Sequence, residues 1–385
     1  MEGETFIMGD CYRESEIKRI AIITFHRTSN YGAALQTFAL QTKLSNKYTV
    51  DILDYRNSYL EKNYSAKTNS FSEKARVIVR RLVYPVKTRR LDIRRKRFEL
   101  FYKKFHVLSN IIYNADNIRT ASDNYDAFIV GSDQVWNLHL SRNDWNYFLE
   151  FAPPLKRYSY AASISIKNTA EINHRIQRNL NEFQSILVRE NTAVSFLQSI
   201  GVNKQVIAVC DPVFLLSADE WEKNLPIAIG NNTGKHILLY TVANVQESLD
   251  FAKKLGMYNK LPVISISSNQ SVKTVDGVIN ILDAGPIEFL RYIREAAYVV
   301  TSSFHALAFS IIFNVPFYYE LCRDGSNNND RLENVAEILH LQDRNINYIK
   351  NESDSNDINW DEVNSLLKGY RDISATLLLD SLKNI

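Results

Sequence analysis

The chain has 385 residues, 45% of them hydrophobic, and carries 46 Lys and Arg against 43 Asp and Glu, a net charge of +3. That length exceeds what one hydrophobic core usually supports, which predicts two domains, and the hydrophobic content excludes a disordered chain. The low counts of Gly (12) and Pro (8) argue against a turn-rich β-sandwich.

No targeting signal or metal motif is recognisable in the sequence. Residues Met1–Glu16 lack the basic start and apolar stretch of a signal peptide, and no apolar run reaches the 18 residues of a membrane-spanning helix. The cysteines, Cys11, Cys210 and Cys322, have no partner at metal-ligand spacing. We therefore predict a cytoplasmic protein without a metal site.

The first half of the chain alternates between apolar runs and amphipathic segments. Arg19–Phe25 (RIAIITF) is apolar on both faces, which is typical of a buried parallel strand. The polar run Thr28–Gly32 follows, then helical periodicity over Ala33–Leu44 and a strand at Tyr48–Leu53. The segment between the first strand and the helix contains one glycine, whereas a dinucleotide-binding fingerprint needs three. Further strands are predicted at Ala127–Gly131, Lys156–Ala162, Ser185–Val188 and Val206–Cys210, with a helix over Glu190–Ile200.

A second α/β pattern begins near His236. The predicted strands are His236–Val242, Pro262–Ser267, Gly277–Leu282, Tyr298–Thr301 and Pro316–Tyr319, and the predicted helices are Glu247–Leu255, Pro286–Ala296 and Phe304–Phe313. This alternation implies parallel sheets with right-handed crossovers.

The predicted fold class is therefore α/β, with two Rossmann-like doubly wound domains facing a cleft. The predicted divisions are an N-terminal extension at 1–18, a first domain at 19–210 with a basic helical insertion at 73–105, a linker at 211–235, and a second domain at 236–385 with C-terminal helices.

Positive charge is concentrated between Lys74 and Lys104, where 13 Lys and Arg stand against Asp92 and Glu99. The local net charge is +11, so the remainder of the chain carries −8. One interpretation is a peripheral contact with anionic lipid head groups on the inner face of the membrane. The alternative is a solvated or subunit-contacting helix pair. Nucleic-acid binding is disfavoured because no recognised motif accompanies the charge.

Ligands of open α/β sheets bind at the carboxyl ends of the strands, where His305 follows the apolar run ending at Thr301. A histidine opening a helix lies beside free N–H groups that suit a phosphate or carboxylate. A nearby phosphate favours the imidazolium form, which suits a general acid. Ser302 and Ser303 are placed either to cap this helix or to donate to an anion. The alternative for His305 is a residue that only caps or packs.

Other polar residues also follow predicted strands. Arg189 is placed to clamp a carboxylate or phosphate, or to pair with Glu190. Asp133 suits a sugar hydroxyl or a helix cap. The remaining candidates for the acceptor or the cleft wall are Ser132, Gln134, Glu190, Asn30, Gly32 and Asp211. Gly32 is expected either to let backbone amides approach a ligand or to form a loop turn. Arg331 lies in an asparagine-rich segment expected to cover the cleft or to form a surface turn.

In their order along the chain, six segments resemble the polysaccharide pyruvyl transferase family. They are NYGAALQTFAL (Asn30–Leu40), YDAFIVGSDQVWN (Tyr125–Asn137), VRENTAV (Val188–Val194), CDPVFLL (Cys210–Leu216), the long stretch Gly285–Phe317 and the stretch Gly325–Leu341. The resemblance implies a GT-B-like pair of Rossmann-type domains. It also implies transfer of the enolpyruvyl carbons of phosphoenolpyruvate to two hydroxyls of a cell-surface or capsular saccharide, giving a cyclic ketal and phosphate.

The resemblance assigns roles to particular residues. The family's motif histidine aligns with His305, and its donor-binding arginine aligns with Arg189. Many members carry arginine where this chain has Ser303, so Arg331 or Arg323 is expected to supply the missing donor-binding cation. Phosphoenolpyruvate is a co-substrate and no cofactor is implied; the acceptor in many members is linked to a carrier lipid. A nucleotide-sugar GT-B glycosyltransferase and a non-catalytic polysaccharide-assembly protein are the alternatives.

Overall fold

A computed structural model describes residues 17–57, 59–60, 83–166, 168–227, 235–242, 246–266, 276–321, 329–349 and 357–385. Two parallel sheets organise these residues, and every strand pairing in both sheets is parallel. Parallel sheets need both faces covered, which explains why the strands are apolar on both sides.

The first sheet has eight strands in the order β3-β2-β1-β4-β6-β7-β8, with β5 paired to β6. These are β1 (Arg19–Ile23), β2 (Thr49–Tyr55), β3 (Leu108–Tyr113), β4 (Ala127–Val130), β5 (Asp133–Trp136), β6 (Arg157–Ile164), β7 (Ser185–Val188) and β8 (Val206–Ala208). The second sheet has the order β11-β10-β9-β12-β13. Its strands are β9 (His236–Tyr240), β10 (Val263–Ile266), β11 (Val278–Ile281), β12 (Ala296–Thr301) and β13 (Phe317–Tyr319).

Helices cover the faces of both sheets, and short 3₁₀ helices lie in several of the connections. The α-helices are α1 (Tyr31–Ser45), α2 (Pro85–Phe105), α3 (Leu138–Ser141), α4 (Ala170–Leu180), α5 (Asn191–Ser199), α6 (Ala218–Asn224), α7 (Gln246–Asn259), α8 (Pro286–Glu295), α9 (Phe304–Ile312), α10 (Asn329–Ile338) and α11 (Trp360–Ser381). Among the described residues, no helix is both long and apolar enough to cross a membrane.

The central core is shared between the two sheets. Alternate residues of a strand face opposite sides, so Ile22 of β1 and Leu238 of β9 belong to one common apolar cluster, while Ala21 and Ile237 lie in the separate outer cores. Tyr31, at the start of α1, joins the two halves directly. Its ring stacks on Phe289 of α8 at 4.4 Å between centroids, and its hydroxyl donates to the carbonyl of Ala284 (2.8 Å).

Helix α2, the described part of the basic segment, lies across the seam between the sheets. Arg94 stacks over the Tyr31 ring and donates to the carbonyl of Ser29. On the other side, Arg97 donates to the carbonyl of Asp283 and pairs with Glu288 of α8. The helix begins with Pro85 at its first position, which suits that residue because the first helical N–H has no partner in any case. The rest of the predicted insertion, 73–82, lies outside the described residues.

The last helix makes several hydrogen bonds to residues that precede the second sheet in the sequence. Ser374 of α11 accepts a hydrogen bond from the backbone N–H of Cys210, and Arg371 donates to the carbonyl of Phe214. Tyr48, next to β2, donates to the carbonyl of Leu382. Helix α11 follows the second sheet in the sequence but therefore covers the segment after β8.

The sequence prediction lacked the strands β3 and β5 and the helices α3, α4, α6 and α10. Helix α10 carries Arg331, so the expectation of a loop over the cleft or a surface turn at this residue was wrong. β3 is an edge strand that exposes Ile111 and Ile112 and therefore lacks the continuous burial of the central strands. β5 has four residues and begins with the polar pair Asp133 and Gln134, which resembles a turn. Helix α1 begins at Tyr31, so the prediction of a loop through Gly32 was wrong.

Candidate active site

A cavity of about 230 Å³ opens at the carboxyl ends of β1, β4, β9 and β12, between the two sheets. Its lining includes eight of the residues predicted from the sequence, namely Asn30, Gly32, Asp133, Gln134, Ser302, Ser303, His305 and Arg331. Residues far apart in the chain meet here because parallel strands direct their carboxyl ends to the same edge.

Two helices begin at this cavity. Asn30 caps α1, its Oδ1 accepting from the N–H of Ala33 at 3.1 Å. Ser303 occupies the cap position of α9 without making a side-chain cap bond, and Ser302 Oγ instead accepts from the N–H of Val242. The predicted side-chain capping by these serines is therefore not observed. The first-turn N–H groups of both helices have no intrahelical acceptor, so two positive dipole ends line the cavity.

His305 lies in the first turn of α9, pressed against α1. A Cβ added to Gly32 would lie 2.0 Å from His305 Nδ1, which is closer than real Cβ atoms approach. The glycine is thus required by the imidazole packed against it, rather than by a loop turn or by backbone freedom. Gly32 and His305 both line the cavity, and Nδ1 is the ring atom that comes nearest to the position of that Cβ.

Behind the imidazole lies a buried carboxylate. Asp211 Oδ2 is 3.7 Å from His305 Nε2, within ion-pair contact but beyond hydrogen-bond length, and 2.9 Å from Arg189 Nη1. Burial alone would raise the pKa of Asp211, but the neighbouring His305 and Arg189 hold that pKa well below its usual range. Asp211 is consequently an anion beside the histidine, and it lies behind the cavity wall rather than in it.

Arg189 is the centre of this buried charge network. Its Nε donates to Ser163 Oγ (2.9 Å), and its Nη2 lies 3.8 Å from Asp133 Oδ1. Its ion pair with Glu190, 3.6 Å between Nε and Oε2, is the intramolecular pair considered from the sequence. Burial opposes the charge of Arg189, yet the surrounding carboxylates raise its pKa above the usual value. Arg189 and Glu190 are buried and do not line the cavity, while burial raises the pKa of Glu190.

A second arginine reaches the cavity from α10. Arg331 lines the cavity and lies over the Phe304 ring, with Cζ 5.7 Å from the ring centroid. Burial and the nearby Arg189 lower the pKa of Arg331 to about 10, which leaves the guanidinium charged at neutral pH. Arg323, the other predicted cation, lies outside the described residues.

The segment after β4 also supplies polar groups to the cavity lining. Asp133 begins β5 with φ of 79°, a left-handed conformation that Asp tolerates better than most residues. It does not cap a helix; Asn137 caps α3, so the capping alternative was wrong. Gln134 lines the cavity beside Asp133, whereas Ser132 is buried and its Oγ donates to Asp211 at 3.5 Å.

The remaining lining residues were not among the site residues predicted from the sequence. They are Phe25, Thr28, Tyr31, Ala33, Leu140, Tyr240, Val242, Phe289 and Phe304. Most are aromatic or aliphatic, and in the sequence such residues are indistinguishable from core residues. Within the described part of the chain, no group of three His, Cys, Asp or Glu side chains is arranged to hold a metal ion.

Comparisons with known proteins bear on the fold and the family. The family model described as polysaccharide pyruvyl transferase matches residues 30–319 of this chain. No curated protein sequence matches it.

Solved structures resemble the fold at low sequence identity. A putative UDP-N-acetylglucosamine 2-epimerase from Listeria monocytogenes has a TM-score of 0.50 at 10% identity, over 94% of this chain and 95% of its own. The UDP-GlcNAc 2-epimerase from Methanocaldococcus jannaschii has a TM-score of 0.47 at 13% identity, over 82% and 86% of the two chains. The glycotransferase of kitacinnamycin has a TM-score of 0.39 at 10% identity, over 95% and 99%. With its two parallel sheets facing a cavity, the chain has the predicted α/β, GT-B-like fold.

Proposed function

Because the chain belongs to the polysaccharide pyruvyl transferase family, we propose that it transfers a pyruvyl group from phosphoenolpyruvate to two hydroxyls of a saccharide, forming a cyclic ketal and releasing phosphate. The acceptor is a precursor of a cell-surface or capsular polysaccharide. The observation that carries this proposal is the cavity where His305 meets two helix N-termini and Arg331.

The donor is a trianion near neutral pH and needs cationic and N–H ligands. The first turns of α1 and α9 offer N–H groups without intrahelical acceptors, and Arg331 adds a full positive charge. Ser302 and Ser303 add hydroxyl groups beside the α9 terminus. Arg189 acts from behind the wall, where its contacts hold Asp211 and Asp133 in place.

His305 is the proposed general acid. In its imidazolium form the ring keeps one proton on Nε2, facing the Asp211 carboxylate, and carries the other on Nδ1, beside Gly32. Transfer of the Nδ1 proton to the methylene carbon of phosphoenolpyruvate leaves an oxocarbenium-like centre at the carbon bearing the phosphate.

Two acceptor hydroxyls then complete the reaction. The first attacks the cationic carbon, the bond from that carbon to the phosphate oxygen breaks, and the second hydroxyl closes the ketal. Of the two protons that the hydroxyls release, one returns to His305 and the other leaves with the phosphate. Asp133 and Gln134 line the wall next to the donor site and are the proposed hydrogen-bond partners that orient the hydroxyls.

Phosphate release tests this proposal. The protein is incubated with phosphoenolpyruvate and a panel of lipid-linked galactose, mannose and N-acetylhexosamine acceptors, and wild type is compared with His305→Ala. We expect phosphate release and a mass gain of the acceptor with at least one sugar, and loss of both in the variant. Thermal stabilisation by UDP- or GDP-sugars but not by phosphoenolpyruvate would instead support a glycosyltransferase. Phosphate release absent with every acceptor would support a non-catalytic role.

A further inference from the structure

The outward face of α2 carries both exposed apolar side chains and exposed basic side chains. Val86, Ile93 and Leu100 are spaced by seven residues, which is two helical turns, and so form one apolar stripe. Val86 is 69% exposed and Leu100 is 64% exposed. Tyr84, just before the helix, is 58% exposed. Ile93, between them, is half-buried, so water contacts large apolar side chains mainly near the two ends of this 21-residue helix.

A basic stripe runs beside the apolar one. Arg89, Lys96 and Lys103 share the same spacing of seven residues and are exposed. Within the described part of the chain, none of these three side chains forms an ion pair, whereas the neighbouring Arg95 is paired with Asp92 and Glu99. The three cations are thus available to an anionic partner along the edge of the apolar stripe.

Hydrogen bonds from the inward face of α2 determine where its outward face lies relative to the cavity. Tyr102 donates to the carbonyl of Thr28 and Arg94 to that of Ser29, so α2 holds the loop that precedes α1. Thr28 itself lines the cavity. The outward face of α2 therefore lies about one helix diameter, roughly 10 Å, from the cavity wall.

We propose that the outward face of α2 docks the protein on an anionic lipid membrane. An apolar stripe flanked by Lys and Arg is the pattern of helices that lie in the membrane interface, where apolar side chains enter the head-group region and cations meet lipid phosphates. Charge distribution favours this orientation, because the chain outside residues 74–104 carries −8 and is repelled by the same membrane. A nucleic acid would use the cations but would leave the exposed Val86 and Leu100 without a partner. The proposal does not depend on the reaction catalysed.

Vesicle flotation tests the surface without any substrate. We expect the full chain to float with vesicles rich in phosphatidylglycerol at low salt, and not with pure phosphatidylcholine vesicles. Two double variants separate the stripes: Lys96→Gln with Lys103→Gln, and Val86→Gln with Leu100→Gln. Each should reduce the bound fraction about tenfold, and glutamine keeps the helix propensity of the replaced residues high.

Matched controls lie on other helices. Lys223→Gln with Lys254→Gln removes the same charge from exposed positions of α6 and α7, and Met257→Gln with Ile373→Gln removes exposed apolar side chains. Both controls should bind like wild type, and equal thermal midpoints show that all variants are folded. Absence of flotation at low salt, or equal loss in controls and stripe variants, would overturn the proposal. So would a dimer or a duplex-DNA complex that the stripe variants abolish while vesicle binding is absent.

Discussion

Two histidines of this molecule each lie beside a buried aspartate that also binds an arginine, but the cavities beside the two rings differ in size. His305 Nε2 is 3.7 Å from Asp211, which also binds Arg189; His26 Nε2 is 3.5 Å from Asp54, which also binds Arg56. In both groups the arginine and the histidine hold the pKa of the carboxyl well below its usual range against the effect of burial.

The two groups differ in the space in front of the imidazole. The cavity beside His26 has a volume of about 20 Å³, enough for one water molecule, whereas His305 borders about 230 Å³. Only His305 lies in the first turn of a helix and against a glycine of a second helix start. A histidine, a carboxylate and an arginine therefore do not define a catalytic site by themselves; an accessible anion-binding space beside the ring does.

Replacing each histidine in turn should give the largest difference in kcat between the two groups. His305→Gln removes the proposed acid, and we expect kcat for phosphate release to fall about 10³-fold. His26→Gln should leave kcat within a few-fold of wild type, since His26 has no room for a substrate beside it. Phosphate-release kinetics and thermal unfolding of both variants measure this. Equal loss of activity in the two variants would end the distinction between the groups.

Gly32 provides a way to displace His305 without changing its chemistry. The Cβ of Gly32→Ala would lie 2.0 Å from His305 Nδ1, so the imidazole must move, and a displacement of this kind costs about 100-fold in kcat. Gly369→Ala is the matched control, because Gly369 is in α11 and a Cβ there meets nothing within 4 Å. That variant should keep full activity and gain about 1 kcal/mol in the free energy of unfolding. Unchanged kcat in Gly32→Ala would contradict the proposed role of the Nδ1 edge.

Replacing the two aspartates, Asp211 and Asp54, tests the same difference between the two histidine groups. Asp211→Asn keeps the shape of the side chain but removes the charge facing His305, so we expect kcat to fall roughly 10- to 100-fold with little change in KM. Asp54→Asn should leave both kcat and KM unchanged. A variant of Asp211 that raised only KM would indicate a role in binding instead.

The sequence predicted the fold class and the strand ends, because apolar runs and turn residues are local signals. His305, Ser303 and Arg331 could be located near the site for the same reason. The contact between Gly32 and His305 joins residues 273 positions apart in the chain, and the pairing of Asp211 with His305 depends on both sheets. Neither contact has a local signature. Gly32 was therefore predicted either to let backbone amides approach a ligand or to form a loop turn, and Asp211 was predicted as part of the cleft wall. The aromatic lining was missed because its composition is that of a core.

The smallest effect concerns stability in acid, where the two groups should behave alike. Because the pKa values of Asp54 and Asp211 are lower in the folded than in the unfolded protein, the unfolded chain binds more protons as the pH falls, and stability decreases below about pH 5. With an ordinary Asp pKa near 3.9 in the unfolded chain, each carboxylate accounts for about 1 kcal/mol of the loss between pH 5 and pH 3. In denaturant unfolding, the free energy of unfolding of Asp54→Asn should decrease by about 1 kcal/mol less than that of wild type between pH 5 and pH 3. Asp211→Asn should show the same reduction. A difference between them would mean that the cavity beside His305, rather than the shared His–Asp–Arg contacts, sets the charge of Asp211.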